Sequence, residues 1–181
     1  MKLRYYTIII LGLLMTNACD LSEEPYGFYS EDSFYNSAED AEAAITYAYD
    51  ALTFLEYSRT VFLLGDMPTD ECGPKADEGP DAQDLNNWKV ANFSTNRSLV
   101  NFFKYAYIAI NRSNAILDVI PQSPIEEDLK GKYLGEAHFL RAWNYFNLVR
   151  NFGRVPMHTT LVASLNETPA PLAVDLDEVY N

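Results

Sequence analysis

The chain has 181 residues and a formal net charge of −13; 48% of its residues are hydrophobic and 14% are aromatic. That content is too apolar for a disordered chain and is enough for one domain with a real core. The negative charge argues against nucleic acid and against an electrostatic grip on anionic lipid, and favours neutral or cationic ligands.

At the start, Lys2 and Arg4 flank an almost unbroken apolar run from Tyr5 to Met15, followed by Thr16-Asn17-Ala18-Cys19. A helix of about 11 residues rises only ~16 Å, roughly half the hydrocarbon thickness, so the run reads as a signal-peptide core rather than a membrane span. A cysteine directly after a small residue at the end of such a run resembles a lipobox. On that reading residues 1–18 are a lipoprotein signal peptide, and Cys19 is diacylated and becomes the new N-terminus. More than one acyl chain anchors stably where a single chain would be marginal. Removal of Lys2 and Arg4 leaves the mature chain two charges more negative.

Asp20-Leu21-Ser22-Glu23-Glu24-Pro25 is short and acidic and ends at proline. Residues 19–36 are therefore expected to be an extended acidic tether, and the acidic patch resembles the surface-export signal of Bacteroidota lipoproteins. The expected location is the outer membrane, lipid-anchored and facing the cell exterior. No later stretch is long and apolar enough to cross a bilayer. Once Cys19 is acylated, Cys72 has no disulfide partner. The sequons at Asn92, Asn96, Asn111 and Asn166 are coincidental in a bacterial lipoprotein.

Residues 37–181 read as helices. Ser37 and Asp40 form a capping box, and Glu39, Asp40 and Glu42 complement the dipole of the first turn. From Ala38 to about Leu55, the residues Ala41, Ala44, Ile45, Ala48, Leu52 and Leu55 lie on one stripe at helical spacing. The stretch that follows this helix, from Gly65 to Trp88, is rich in Gly, Pro and acids, which marks an exposed functional loop. A sugar site needs a flat aromatic to stack on a ring and polar groups to satisfy hydroxyls. Trp88 could supply the platform, and Lys75, Asp77, Asp81, Gln83, Asn86 and Asn87 the hydrogen bonds. The alternatives are a Trp88 in the core and a loop of solvated charges. Asp77, Glu78, Asp81 and Asp84 are also close enough in sequence to suggest calcium, but no EF-hand spacing exists and no metal is expected.

A second helix is expected from about Arg97 to Ile120, with Leu99, Phe102, Phe103, Ala106, Ile110, Asn114, Leu117 and Ile120 on one side and Pro121 ending it. A third begins at Ser123-Pro124-Ile125-Glu126, read as a capping box with proline at the first helical position. It continues to about Asn151, with Gly153 as a left-handed cap and Pro156 preventing resumption. Its second half is apolar nearly all round, with Phe139, Trp143, Phe146 and Val149 spaced to pack one face. It therefore needs neighbours on both sides. Asp175-Leu176-Asp177-Glu178 carries the start signals of a fourth helix. The expected fold class is all-α: tetratricopeptide-like helical hairpins with long irregular loops, a truncated portion of a larger fold. The likeness to tetratricopeptide proteins is architectural, because no repeat of about 34 residues is visible.

Glu136-Ala137-x-Phe139-Leu140-Arg141-Ala142, then Tyr145-Phe146 and Leu148-Val149, then Phe152-Gly153-x-Val155-Pro156, resembles the signature helix and turn of SusD/RagB proteins. Ser33-Phe34 with Glu39-Asp40-Ala41 and Ala48-Tyr49, Tyr107 to Asn114, and Glu178-Val179-Tyr180 resemble other segments of the family, in its order. Pro68-Thr69-Asp70-Glu71-Cys72 is similar to a stretch of its starch-binding members, in which the following loop helps build the ligand face. Those members place tryptophans directly after the Cys, where this chain has Gly73-Pro74-Lys75, so starch itself is not implied.

The resemblance implies a surface lipoprotein that binds a glycan or other nutrient oligomer without bond chemistry and without a cofactor. It also implies a partner, a SusC-like TonB-dependent transporter to which ligand is handed. Some members take peptides instead. Glu136 and Arg141 are expected to be structural. Glu136 and His138, two apart on a helix, point in different directions and make a poor acid/base pair, so no catalytic residue is expected. Two other readings stay open: a helical glycoside hydrolase, which needs two carboxylates at a defined separation, and a tetratricopeptide-like scaffold for envelope assembly.

Overall fold

The computed structural model describes residues 35–164, 166, 170–173 and 175–180. The chain divides into two units, Met1–Asp32 and Ser33–Asn181, and every described residue belongs to the second. The signal peptide, Cys19 and nearly all of the tether lie outside the described residues.

The described residues form six α-helices and no β-strand beyond one isolated bridge. Helix α1 spans Ala38–Asp50 and starts as its sequence dictates. The Ser37 hydroxyl accepts from the Asp40 amide at 3.1 Å, and the Asp40 carboxylate accepts from the Ser37 amide at 3.1 Å. Ala41, Ala44, Ile45 and Ala48 are buried, as their spacing requires. The stripe stops before Leu55. A 3-10 turn at Ala51–Thr53 and extended backbone at Phe54 break the period, so Leu55 is 69% exposed and opens a separate helix, α2, Leu55–Asp66. This helix is additional to those expected from the sequence pattern. Its buried residues Tyr57, Thr60 and Leu63 repeat every third position, which is a helical signal, though a short one.

Helix α3, Pro80–Asn86, has proline at its start and buries Ala82 and Leu85, so the expected loop contains a packed two-turn helix. Helix α4 spans Arg97–Val119. The Asn96 side chain caps it by accepting from the Ser98 and Leu99 amides. It buries Leu99, Phe102, Ala106, Ile110 and Asn114 of the expected stripe, and ends in a 3-10 turn, Ile120–Gln122, that contains Pro121.

Helix α5 spans Glu127–Phe152. The capping box expected at Ser123 does not form. The Ser123 hydroxyl donates to the Ile120 carbonyl at 2.8 Å instead, which places Pro124 outside the helix and leaves Glu126 as a cap without a side-chain hydrogen bond. At the other end Gly153 has φ +71, a conformation that favours glycine, and its amide donates to the Val149 carbonyl. Helix α6, Leu176–Tyr180, opens where expected, the Asp175 carboxylate accepting from the Glu178 amide at 2.9 Å.

Helices α4 and α5 pair antiparallel. Ile116, late in α4, and Ile120, in the 3-10 turn that follows it, pack with Tyr133, Ala137 and Leu140 of α5 and with Ala41, Ala44, Ile45 and Ala48 of α1. Phe102, Ala106 and Ile110, earlier in α4, pack with Tyr145 and Leu148 of α5, with Tyr57 of α2 and with Val155. A third cluster joins Leu63, Met67, Leu85 and Leu99, and so ties α2 and α3 to the start of α4. Alanines line the α1 contact, so three helices approach closely there.

Helix α5 is buried on one side only. Of the four residues expected to pack together, Val149 is buried, whereas Phe139, Trp143 and Phe146 are 61%, 41% and 43% exposed. No described helix is long and apolar enough to cross a membrane.

Ala137 is fully buried where α1, α4 and α5 meet. Ala137→Leu is expected to cost about 1–3 kcal/mol through overpacking, read as a lowered urea midpoint with an unchanged slope.

Candidate functional site

The residues singled out in sequence lie between α2 and α4. Met67, buried, ends α2, and Ala82 and Leu85 seat α3 on the helices beside it. The polar side chains of this region then divide into two sets.

One set holds the scaffold. The Asp81 carboxylate accepts from the Arg97 amide at 3.2 Å and from the Arg97 Nε at 3.1 Å, at the positive end of the α4 dipole. The Asp81 carbonyl accepts from Asn96 at 2.8 Å. Glu78 pairs with Arg59. Asp84 accepts from Asn92 at 2.8 Å and pairs with Lys89 at 3.3 Å; the Asn92 hydrogen bond first, and then Lys89, hold its carboxyl below the usual range. These three acids therefore face three different cations. Among the described residues no three His, Cys, Asp or Glu converge as a metal site would need. Asp81 lines a separate small cleft of about 250 Å³ with Arg59, Thr60 and Arg97.

The other set faces outward. Gln83 donates to the Lys75 carbonyl at 3.2 Å, and Asn87 donates to the Gln83 carbonyl at 2.7 Å, so Lys75, Gln83 and Asn87 are brought together. Asn86 is half-buried against Gly73, and the side chains of Lys75 and Asp77 are exposed. Trp88 follows Asn87 with φ +50, a left-handed conformation that bulky residues seldom adopt. Its indole N–H donates to the Pro68 carbonyl at 3.2 Å, and the residue is 62% exposed. It is not a core residue.

A larger concavity, about 790 Å³, lies between α1, α4 and the segment after α5. Its wall is extended chain held by helix side chains. Tyr107 donates to the Pro156 carbonyl at 2.7 Å. Asn111 both donates to the Val162 carbonyl and accepts from the Val162 amide. Asn114 donates to the carbonyls of His158 and Thr160 at 2.9 Å, and the Asp118 carboxylate accepts from the Leu161 amide. From α5, Arg141 donates to the Asn114 side chain and the Thr159 carbonyl, while the Tyr145 hydroxyl donates to the His158 carbonyl and accepts from its amide. The volume suits a ligand. However, Asn111 is engaged at both ends, and Arg112 donates to the Tyr47 carbonyl and lies over the Tyr47 ring at 3.5 Å. The sequence reading missed this groove. Its signal was the placing of Tyr107, Asn111, Asn114 and Asp118 at helical spacing on one face of α4.

Glu136 acts on Tyr49 rather than on His138. Tyr49 is raised by burial and then by the Glu136 charge and hydrogen bond, and His138 is exposed.

A family model of the SusD-like group, described as starch-binding and associating with outer membrane, matches residues 29–175. Two SusD-like proteins of Formosa agariphila are similar to this chain. One is 33% identical over 156 residues, 84% of this chain and 29% of the relative; the other is 27% identical over 185 residues, 99% and 36%. A SusD-like protein of Bacteroides ovatus is 24% identical over 166 residues, 86% and 28%. The chain thus spans about a third of the length of the curated relatives it matches. No solved structure matches the chain.

Burial pushes Tyr145 up to about 12, the His158 backbone and Arg141 partly opposing the shift. The folded protein therefore holds this proton more tightly than the unfolded chain does. The resulting stability is complete below the unfolded value near 10 and is lost as pH rises towards 12. In denaturation series from pH 9 to 12, Tyr145→Phe is expected to be less stable at pH 9 and to lose stability less steeply with pH.

Proposed function

We propose, from the premise that this chain belongs to the SusD-like family, that it binds a glycan at the outer surface of an outer membrane through the face built on α3 and Trp88. One observation carries the reading. Trp88 is held in a sparsely populated backbone conformation, its indole N–H tied to Pro68, with the residue largely open to solvent. Strain of this kind persists where surrounding structure over-determines it, and it clusters at ligand clamps. An aromatic fixed in that way is a platform for the apolar face of a sugar ring. Gln83 holds the Lys75 backbone and Asn87 holds the Gln83 backbone; with Asp77 and Asn86 these are the side chains proposed to satisfy hydroxyls, while Asp81 locks α3 to α4.

The function is capture, not bond cleavage. Glu78, Asp81 and Asp84 are each paired with a cation and so are taken up in the scaffold. Neither carboxylate of a glycosidase pair is assigned to them. In the whole protein, Cys19 is the lipid anchor, residues 19–36 the tether, and the partner a SusC-like TonB-dependent transporter, over which the lipoprotein hinges as a lid and into which it releases ligand.

The test is titration of the whole protein against a panel of polysaccharides and oligosaccharides. Trp88→Ala is expected to weaken binding by about tenfold, equivalent to ~1.4 kcal/mol, with an unchanged melting temperature. Tyr47→Ala, in the larger groove, is expected to leave affinity unchanged; loss there with none at Trp88 would move the site. Shortened products after incubation would overturn capture without cleavage. Purification from outer membranes without a barrel partner would overturn the transporter assignment.

A further inference from the structure

The groove of about 790 Å³ between α1, α4 and the segment after α5 is the strongest feature that the glycan reading does not use. Its charge is the reverse of the chain's. The sequence carries 26 acids against 13 lysines and arginines, yet no acid lines the groove, whereas Lys104, Arg112 and His158 all do. Two acids touch its lining residues and are taken up by them. Asp50 pairs with Arg112 at 3.5 Å, and Asp118 accepts from the Leu161 amide at 2.7 Å.

Most hydrogen-bonding groups of the groove are spent on the fold. The Tyr107 hydroxyl donates to the Pro156 carbonyl, and Asn111 is closed onto both backbone groups of Val162. Arg112 donates to the Tyr47 carbonyl and lies over the Tyr47 ring. A polyhydroxy ligand would bury hydroxyls here without partners, at a cost for each. The rest of the lining is largely apolar, with Ala43, Ile108, Ala115, Leu161 and Val162.

One end differs. Lys104 stands one turn before Tyr107 and Ile108 on α4, and the Tyr107 ring meets the His158 ring edge-on at 5.8 Å. Among the described residues Lys104 has no carboxylate partner; its ammonium lies 5.6 Å from the Tyr105 ring. The His158 imidazole makes no hydrogen bond there, since Tyr145 and Asn114 take only its backbone groups. A mostly apolar concavity with a few placed polar groups is the usual form of a small-molecule site.

We propose that this groove is a second binding site, for a small organic anion with a flat apolar body, an aromatic carboxylate or sulfonate. The anionic head lies at the Lys104–His158 end, and the body lies between Ile108, Ala115 and Leu161. The proposal does not rest on the glycan reading and fails independently of it.

Fluorescence titration of the whole protein with 8-anilino-1-naphthalenesulfonate, and with its uncharged analogue N-phenyl-1-naphthylamine, tests it. The sulfonate is expected to bind at one site and the uncharged analogue about tenfold more weakly, the worth of one charge-assisted contact. Lys104→Gln is expected to weaken the sulfonate by about tenfold and Lys104→Arg to leave it nearly unchanged. Ala115→Phe, which fills the groove, is expected to weaken both probes, and Trp88→Ala neither. Equal binding of the two probes, an unchanged affinity in Lys104→Gln, or no binding of the sulfonate would overturn the proposal. So would loss in Phe139→Ala with none in Ala115→Phe, which would put the probe on the outer face of α5.

Discussion

The architecture depends on how a stretch of non-helical backbone is satisfied inside a helical protein. Residues 156–162 run along α4 and α5 with almost no backbone ladder to pair with. Residues 156–158, 161 and 162 are half-buried, and a peptide group shielded from water without a partner costs on the order of a hydrogen bond's desolvation, about 1–3 kcal/mol. Side chains therefore stand in for a neighbouring strand. Asn111 donates to and accepts from Val162 as a strand residue would, and the Tyr145 hydroxyl does the same for His158. Asn114, at no cost in exposed polar surface, serves two carbonyls and accepts from Arg141. The network stitches the chain leaving α5 back onto the second half of α4, from Tyr107 to Asp118.

The same device appears on a smaller scale at the candidate glycan face. Asn96 caps α4 and reaches the Asp81 carbonyl, while the Asp81 carboxylate takes the Arg97 amide and side chain. Helix α3 is thereby held at the N-terminus of α4, although it buries only two residues of its own. Rigid placement of α3 sets where Asn87 ends it and where Trp88 turns out. The placement of this candidate face is thus a consequence of capping chemistry, with the hydrophobic contribution coming from the cluster that joins Leu63, Met67, Leu85 and Leu99.

Some of this was legible in the sequence because it is local. The Ser37–Asp40 box, the α1 stripe from Ala41 to Ala48, most of the apolar face of α4, the Gly153 cap and the Asp175 start depend on residues within a few positions of each other, and these form as read. The family signature was legible for the same reason, since its residues lie along one helix and turn. Where two local options competed, sequence could not choose. Ser123 has the spacing of a cap, yet its hydroxyl meets the Ile120 carbonyl first. Leu55 has the spacing of the α1 stripe, but the turn at Ala51–Thr53 shifts it out of phase.

The sequence by itself determined helices, their main buried faces, the family and the loop worth attention. Only the tertiary structure decided that Trp88 is exposed and fixed, and that Asp81 and Asp84 serve cations. It also decided that Asn111 and Asn114 bind a strap more than forty residues away and that one face of α5 has no neighbour among the described residues. The physical reason is range. Helix formation and capping are settled by backbone groups within a turn or two. Whether a polar side chain meets a ligand, a cation or a distant carbonyl depends on what folding brings beside it.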